Sequence, residues 1–164
     1  MSDNLSEHFS YKEGTYSKKA VELGVDNTPS TVQLENMKVA AQGMEKVRAL
    51  LNKPISIQSW LRLPKVNVAV GGSEKSAHMD GFAIDFRCDG FGSPYEICKA
   101  IAASGIKYDQ MIHEYSMTPD KGWVHISFDP ALKRQNLTVM RPANPNKVYV
   151  PGILTPAEYA AWKP

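Results

Sequence analysis

Three residues with the side chains of metal ligands lie in two short segments of the sequence. Residues 76–85 form a loop containing Ser and Gly that carries His78 and continues into an apolar stretch ending at Asp85. Residues 123–127 surround His125 with a β-type pattern. Two imidazoles and one carboxylate match a catalytic zinc site, whose fourth tetrahedral position stays open for water or substrate. A histidine with ordinary core or surface hydrogen bonds is the alternative, and spacing alone does not decide between them.

The alternation of side chains along a strand sharpens this hypothesis. In the strand predicted at residues 82–86, Asp85 points away from the bulky apolar side chains on either side of it. Burying a lone carboxylate there costs several kcal/mol unless a cation or strong donors satisfy it. His125 likewise points away from Val124 and Ile126. The two remaining histidines, His8 and His113, are interpreted as ordinary surface or core residues.

The elements that must position these residues are mixed helices and strands. Apolar residues recur every three to four positions over residues 31–51, and Ser30 with Gln33 forms a capping-box pattern, so an amphipathic helix is predicted there. A second helix is predicted over residues 94–104, after the N-cap Ser93. Strands are predicted at residues 54–59, 82–86, 110–115 and 123–128. Their irregular connections argue against a doubly wound sheet.

Composition indicates one domain over residues 1–164, with a core at about 8–140 and a tail, 141–164, that wraps the surface and includes a short helix. The net charge of +2 is too small and too scattered to predict a nucleic-acid partner. Residues 1–10 carry no apolar run, so we expect synthesis in the cytoplasm without a signal peptide and no membrane insertion. Cys88 and Cys98 are interpreted as reduced, structural thiols.

The segments around the proposed ligands resemble a known family. Ser-x-His-x-x-Gly-x-Ala-x-Asp at residues 76–85, followed by Trp-x-His at 123–125, is similar to the zinc D-Ala-D-Ala carboxypeptidases and phage endolysin peptidases of the M15 class. Further segments continue the resemblance in the family's usual order, so that it covers about residues 8–140: Asp26-Asn27-Thr28-Pro29, Ser59-Trp60-Leu61-Arg62-x-Pro64, Asn67-x-Ala69-Val70-Gly71-Gly72-Ser73 and Tyr108-Asp109-Gln110-Met111-Ile112-His113-Glu114.

The resemblance implies an α+β fold shared with the hedgehog signalling domain, with a small antiparallel sheet, helices on one side and zinc in a cleft. It implies His78, Asp85 and His125 as the zinc ligands. Many members place a catalytic Glu three residues before the last His, but Gly122 occupies that position here. Another carboxylate must then be the general base, and Glu114 is the first choice, because its segment also resembles a hedgehog segment whose Glu stands beside the zinc.

Asp120 is the alternative base. The resemblance also implies that Arg62 binds a substrate carboxylate or the developing oxyanion. Ser76 is expected either to contact substrate or to form a local hydroxyl turn. Trp60 and Leu61 replace the family's usual Gly and Tyr, so the resemblance does not define the shape of the substrate cleft.

The implied activity is zinc-dependent hydrolysis of the peptidoglycan stem peptide at the bacterial cell wall, by a phage-type endolysin with L-alanyl-D-glutamate endopeptidase activity. Zinc would acidify a water molecule and polarise the scissile carbonyl, while the carboxylate moves the proton. A D-alanyl-D-alanine carboxypeptidase is the alternative specificity. Two non-enzymatic alternatives are a zinc-containing cell-wall binding module and a phage assembly protein that docks on the wall. The chain is expected to be a monomer.

Overall fold

Residues 4–164, the part of the chain that the computed structural model describes, contain six helices and six strands. The helices are α1 (Tyr11–Thr15), α2 (Lys18–Leu23), α3 (Thr31–Leu51), α4 (Pro64–Ala69), α5 (Pro94–Ala103) and α6 (Pro156–Ala161). The strands are β1 (Ser56–Ser59), β2 (Ala83–Arg87), β3 (Gln110–Glu114), β4 (Trp123–Ser127), β5 (Gln135–Val139) and β6 (Val150–Pro151). The long helix, the helix after Ser93 and the four predicted strands are confirmed, with ends that shift by at most two residues.

The six strands form one sheet in the order β1-β2-β4-β3-β5-β6. All neighbouring pairs are antiparallel except β3 and β5, which run parallel. The α+β class is therefore confirmed, with a mostly antiparallel sheet. The sequence pattern does not predict β5 or β6, and β6 lies within the tail expected to wrap the surface.

The two faces of the sheet have different roles. One face packs against α3 and α5 through a continuous apolar core that includes Met44, Ile84, Ile101, Val124 and Ile126. The polar residues that alternate with these on β2 and β4 point to the opposite face. Burying each large core side chain stabilises the fold by roughly 1.5–3 kcal/mol. This core holds the strands rigidly and leaves the polar face available for a site.

Helix α3 also fixes the loop before β2. Its predicted capping box is present, with the Ser30 hydroxyl accepting from the Gln33 backbone N–H and the Gln33 side chain accepting from Ser30 N–H. The Gln33 amide then donates to the Met79 carbonyl at 2.9 Å. Gly81 has φ +88°, and a β-carbon there would lie 2.8 Å from the Gln33 carbonyl oxygen. The loop of residues 76–81 is thus held closely against the start of α3.

The two cysteines and the two histidines that were given no role in the site make ordinary structural contacts. Cys88 and Cys98 are buried and free. His8 lies 2.6 Å from Glu45, and His113 is fully buried with Nδ1 3.0 Å from the Leu154 carbonyl. Among residues 4–164, no helix is both long and apolar enough to cross a membrane.

Candidate metal centre and cleft

A cleft of about 640 Å³ opens on the polar face of the sheet. It is lined by residues of the loop before β2, by strands β2, β3 and β4, and by the segments that flank β5 and β6. His78, Asp85 and His125 lie in its wall together with Glu114, Arg62 and Ser76. Six of the seven residues singled out from the sequence therefore line one cavity.

His78, Asp85 and His125 meet because of strand register. Asp85 on β2 is the cross-strand partner of His125 on β4, so both side chains project from the same face. The loop held against α3 brings His78 to them. His78 Nε2 lies 3.2 Å and His125 Nδ1 lies 2.9 Å from the same oxygen, Asp85 Oδ1. The three residues form the one group in residues 4–164 whose side chains could hold a metal ion.

The chemistry of this donor set fits a cation. His78 Nδ1 lies 2.7 Å from the Trp60 carbonyl, so it must carry the proton and donate it. A neutral His78 then presents only a lone pair at Nε2, and this lone pair faces the Asp85 carboxylate. Ligand atoms at zinc distances in a tetrahedral site lie about 3.3 Å apart, close to the separations observed. The residues therefore fit Zn²⁺, and the Trp60 carbonyl orients one ligand as outer groups do in metal sites.

The environment favours the ligand forms of His78 and Asp85. Burial lowers the pKa of His78, which keeps the imidazole neutral. Burial acts to raise the pKa of Asp85, but the hydrogen bond from the His125 imidazole acts against it, and the pKa of that carboxyl lies well below its usual range. An ionised Asp and a neutral His are the protonation states that bind metal.

Glu114 is the carboxylate that stands beside this group. It ends β3, pairs across the sheet with Trp123, and has Oε1 3.9 Å from His125 Nδ1. Its side chain is only 13% exposed. Burial and the nearby Asp85 raise the pKa of Glu114 to about 7. The group is placed to exchange a proton in the cleft near neutral pH.

Asp120 lies elsewhere. Its side chain is 75% exposed, accepts a hydrogen bond from the Thr118 hydroxyl at 2.5 Å, and is absent from the cleft lining. Gly122, where the resemblance leads one to expect a catalytic Glu, has φ +73° and packs against the backbone of Glu114 and Ser116. A side chain at position 122 would overlap that backbone. Of the candidate bases, the structure brings only Glu114 to the three clustered side chains.

Arg62 is half-buried, and its Nε has no hydrogen-bond partner among residues 4–164. Arg62 lines the same cleft as Asp85 and Glu114; burial lowers the pKa of Arg62, and the two carboxylates act in the opposite direction. The Ser76 hydroxyl accepts a hydrogen bond from His78 N–H at 3.2 Å, which is the local-turn role considered for it. Its position in the cleft lining also leaves substrate contact open.

Trp60 and Leu61, the departures from the usual family pattern, are core residues and do not line the cleft. Both side chains are buried in the apolar core, and the Trp60 indole donates to the Gly81 carbonyl at 2.9 Å. The Trp60 side chain therefore supports the loop that carries His78. Neither side chain is among the residues that line the cleft.

Several cleft residues have no role in the sequence interpretation. Tyr115 follows Glu114 directly, and its ring lies 5.3 Å from that of Trp123. Arg141 and Tyr149 come from the segment between β5 and β6. That segment contains prolines, and its sequence predicts a surface loop. These residues reach the cleft because β5 and β6 pair with the sheet.

The sequence model of the family described as Peptidase M15 matches residues 7–127, which is most of the chain. A search of curated proteins returns no match. The matched range contains the His-Asp-His cluster and Glu114, and it ends before Arg141 and Tyr149. Because the family model matches most of the chain, and the mostly antiparallel sheet agrees with it, the chain belongs to the Peptidase M15 family and is a peptidase.

Proposed function

We propose that this chain is a zinc peptidase that hydrolyses a peptide bond in the stem peptide of bacterial peptidoglycan. The observation that carries the proposal is the convergence of His78 Nε2 and His125 Nδ1 on one oxygen of Asp85, at 3.2 and 2.9 Å, inside an open cleft. These three residues are the proposed zinc ligands, and the M15 family supplies the substrate class.

When bound, Zn²⁺ supplies Lewis acidity, which polarises a carbonyl and makes a water molecule acidic near neutral pH. The protein's own residues do the rest. The Trp60 carbonyl keeps His78 in the tautomer that offers Nε2, and the cross-strand pairing of Asp85 with His125 fixes two ligands on rigid strands. Little reorganisation is then needed when substrate binds.

Glu114 is proposed as the general base and acid. Its carboxylate is mostly buried and lies next to His125 in the cleft. From there it can accept a proton from the attacking water and return it to the leaving amine. Asp120, the second candidate, is exposed and outside the cleft lining. The position of Glu114 supports its assignment over Asp120.

Arg62 is proposed to stabilise negative charge on the substrate. The Nε–H group without a protein partner is a donor available to a carboxylate or to the oxygen that gains charge during peptide hydrolysis. Ser76 is assigned two tasks, holding the His78 backbone and offering its hydroxyl at the cleft wall.

We infer that the bond cut is the L-alanyl-D-glutamate bond, as in a phage or prophage endolysin that reaches the cell wall after synthesis in the cytoplasm. The second candidate is D-alanyl-D-alanine carboxypeptidase activity. A guanidinium beside the candidate metal centre favours it, because such a group would bind the terminal carboxylate that this reaction requires.

The test is digestion of purified peptidoglycan by the zinc-loaded protein, with identification of the released groups by mass. New D-glutamyl amino termini would establish the endopeptidase, and free D-alanine would establish the carboxypeptidase. Activity should stop with a chelator and return with Zn²⁺. Wall binding without release of either group would instead indicate a non-catalytic module, and wall binding that survives zinc removal would indicate a docking or assembly protein.

A further inference from the structure

Part of the cleft wall is built by the chain beyond the residues that match the family. Strand β5 pairs with β3 in parallel, with Glu114 opposite Val139, and Tyr115 N–H donates to the Val139 carbonyl at 2.8 Å. The chain therefore leaves β5 at the end of β3 where Glu114 lies. Arg141 follows two residues later and faces the cleft.

The return of the chain brings Tyr149 to the same place. Strand β6 runs antiparallel to β5, with Val150 opposite Thr138, so Tyr149 precedes β6 at the level where β5 ends. Tyr149 lines the cleft together with Glu114 and Tyr115, and burial raises the pKa of Tyr149 to about 12 while both of these residues act in the same direction. The segment is anchored by a second apolar cluster of Met140, Val150 and Tyr159.

Arg141 is positioned without an internal counterion. Its guanidinium carbon lies 4.9 Å from the centre of the Tyr115 ring, in a cation–π contact, and it makes no ion pair with a carboxylate of residues 4–164. The other arginine of the cleft, Arg62, lies beside Asp85 and Glu114. The cleft thus has a second guanidinium in its lining, held over the ring of Tyr115 and available to an anion.

We propose that Arg141, held over Tyr115 and flanked by Tyr149, binds a carboxylate of the substrate peptide. The segment that follows β5 then determines specificity for acidic peptides. This inference rests on the proposed peptidase function. A guanidinium suits this role because it offers paired N–H donors that match the two carboxylate oxygens, and Tyr149 adds a hydroxyl donor beside it. The carboxylate is either that of the residue next to the scissile bond or that of the peptide's C-terminus.

The test compares wild type with Arg141→Gln, Arg141→Lys and a matched control, Lys147→Gln. Lys147 lies in the same segment over the Trp162 ring at 5.8 Å, and it is exposed and outside the cleft lining. Three probes are used: a stem peptide with both carboxylates free, one amidated next to the scissile bond, and one amidated at its C-terminus. Binding is measured by calorimetry, and cleavage of the same peptides gives kcat and KM.

We expect Arg141→Gln to weaken binding of the free peptide, and to raise its KM, about 10- to 100-fold with little change in kcat, as for loss of a charged hydrogen-bond pair. Arg141→Lys should retain part of the affinity that Arg141→Gln loses, and Lys147→Gln should bind and cleave the free peptide as wild type does. Amidation of the relevant carboxylate should weaken binding to wild type and remove the difference between wild type and Arg141→Gln, which identifies that carboxylate.

Unchanged binding and KM in Arg141→Gln for the free peptide would overturn the inference while leaving the peptidase intact. Binding that depends on Arg141 in a protein without cleavage would support the inference and overturn the proposed function. A wild-type protein that neither binds nor cleaves the free peptide would overturn both.

Discussion

Gly122 lies against Glu114 so closely that a β-carbon at position 122 would overlap the Glu114 carbonyl oxygen. The two residues face each other where β3 ends and β4 begins, and Gly122 has φ +73°. This position, three residues before His125, therefore has no room for the carboxylate that the family resemblance leads one to expect. Its neighbour Glu114 provides a carboxylate to the cleft from the adjacent strand instead.

Replacing Gly122 with Ala should destabilise the protein strongly, because the change combines an unfavourable backbone conformation with backbone overlap. We expect a loss of about 3 kcal/mol or more in the free energy of unfolding, measured by urea denaturation. Gly24→Ala is the control: Gly24 has φ +63°, and no atom of residues 4–164 beyond its chain neighbours lies within 4 Å of an added β-carbon. It should cost only about 1–2 kcal/mol. Equal losses in the two variants would show that close packing at Gly122 is unimportant.

Replacing Glu114 with Gln should abolish most of the activity and leave the metal bound. The variant retains the shape of the side chain but cannot accept a proton, so we expect kcat to fall by at least about 100-fold. Zinc content, measured by atomic absorption, should stay at the wild-type level. The comparison is Asp120→Asn, which changes an exposed carboxylate and should leave kcat within about twofold. Activity lost in Asp120→Asn but kept in Glu114→Gln would reverse the assignment of the base.

Helix α3 and the orientation of the two ligands on β2 and β4 could be predicted from the sequence, because both follow from the repeat of apolar residues along one element. Helix α3 has an apolar repeat and a capping box, and these two signals give its ends. Asp85 and His125 each alternate with apolar neighbours, so their projection from the same face as the cleft follows from strand geometry. Residues whose placement depends on the strand that contains them are therefore predictable from the sequence.

The position of a residue is harder to predict from the sequence when it depends on which strands pair with each other. Glu114 and Asp120 are separated by only a short loop in sequence, and only the β3–β4 register shows which one enters the cleft. Arg141 and Tyr149 reach the cleft through the parallel pairing of β5 with β3 and the return of β6. A short strand within a proline-containing segment gives no periodic signal, so these residues read as surface loop.

Replacing Glu45 with Gln should lower stability in a pH-dependent way. Burial acts to raise the pKa of Glu45, but hydrogen bonds from Ser6 and from the backbone and ring of His8 outweigh it and lower that pKa. A carboxyl whose folded-state pKa is depressed stabilises the protein above its unfolded pKa and loses this contribution as pH falls through the folded value. We expect Glu45→Gln to lose about 1 kcal/mol at pH 7 and almost nothing at about pH 3.

Urea denaturation at both pH values checks this, with Glu35→Gln as the control. Glu35 lies on the same helix, but its side chain is 65% exposed and forms a surface pair with Lys38 at 3.4 Å. Such surface pairs contribute little, so Glu35→Gln should be close to wild type at both pH values. A destabilisation of Glu45→Gln that is the same at both pH values would show that its charge is not the cause.

Replacing His78 with Ala should remove the metal and the activity together. His78 offers one of three ligand atoms, and two remaining protein ligands are too few for a catalytic zinc site. We expect zinc affinity, measured by competition with a chromophoric chelator, to fall by more than about 100-fold. His8→Gln is the matched control, because His8 lies beside Glu45 outside the cleft lining, and it should bind zinc like wild type. Equal zinc binding by His78→Ala and wild type would mean that the metal is held elsewhere and that the His-Asp-His cluster has another role.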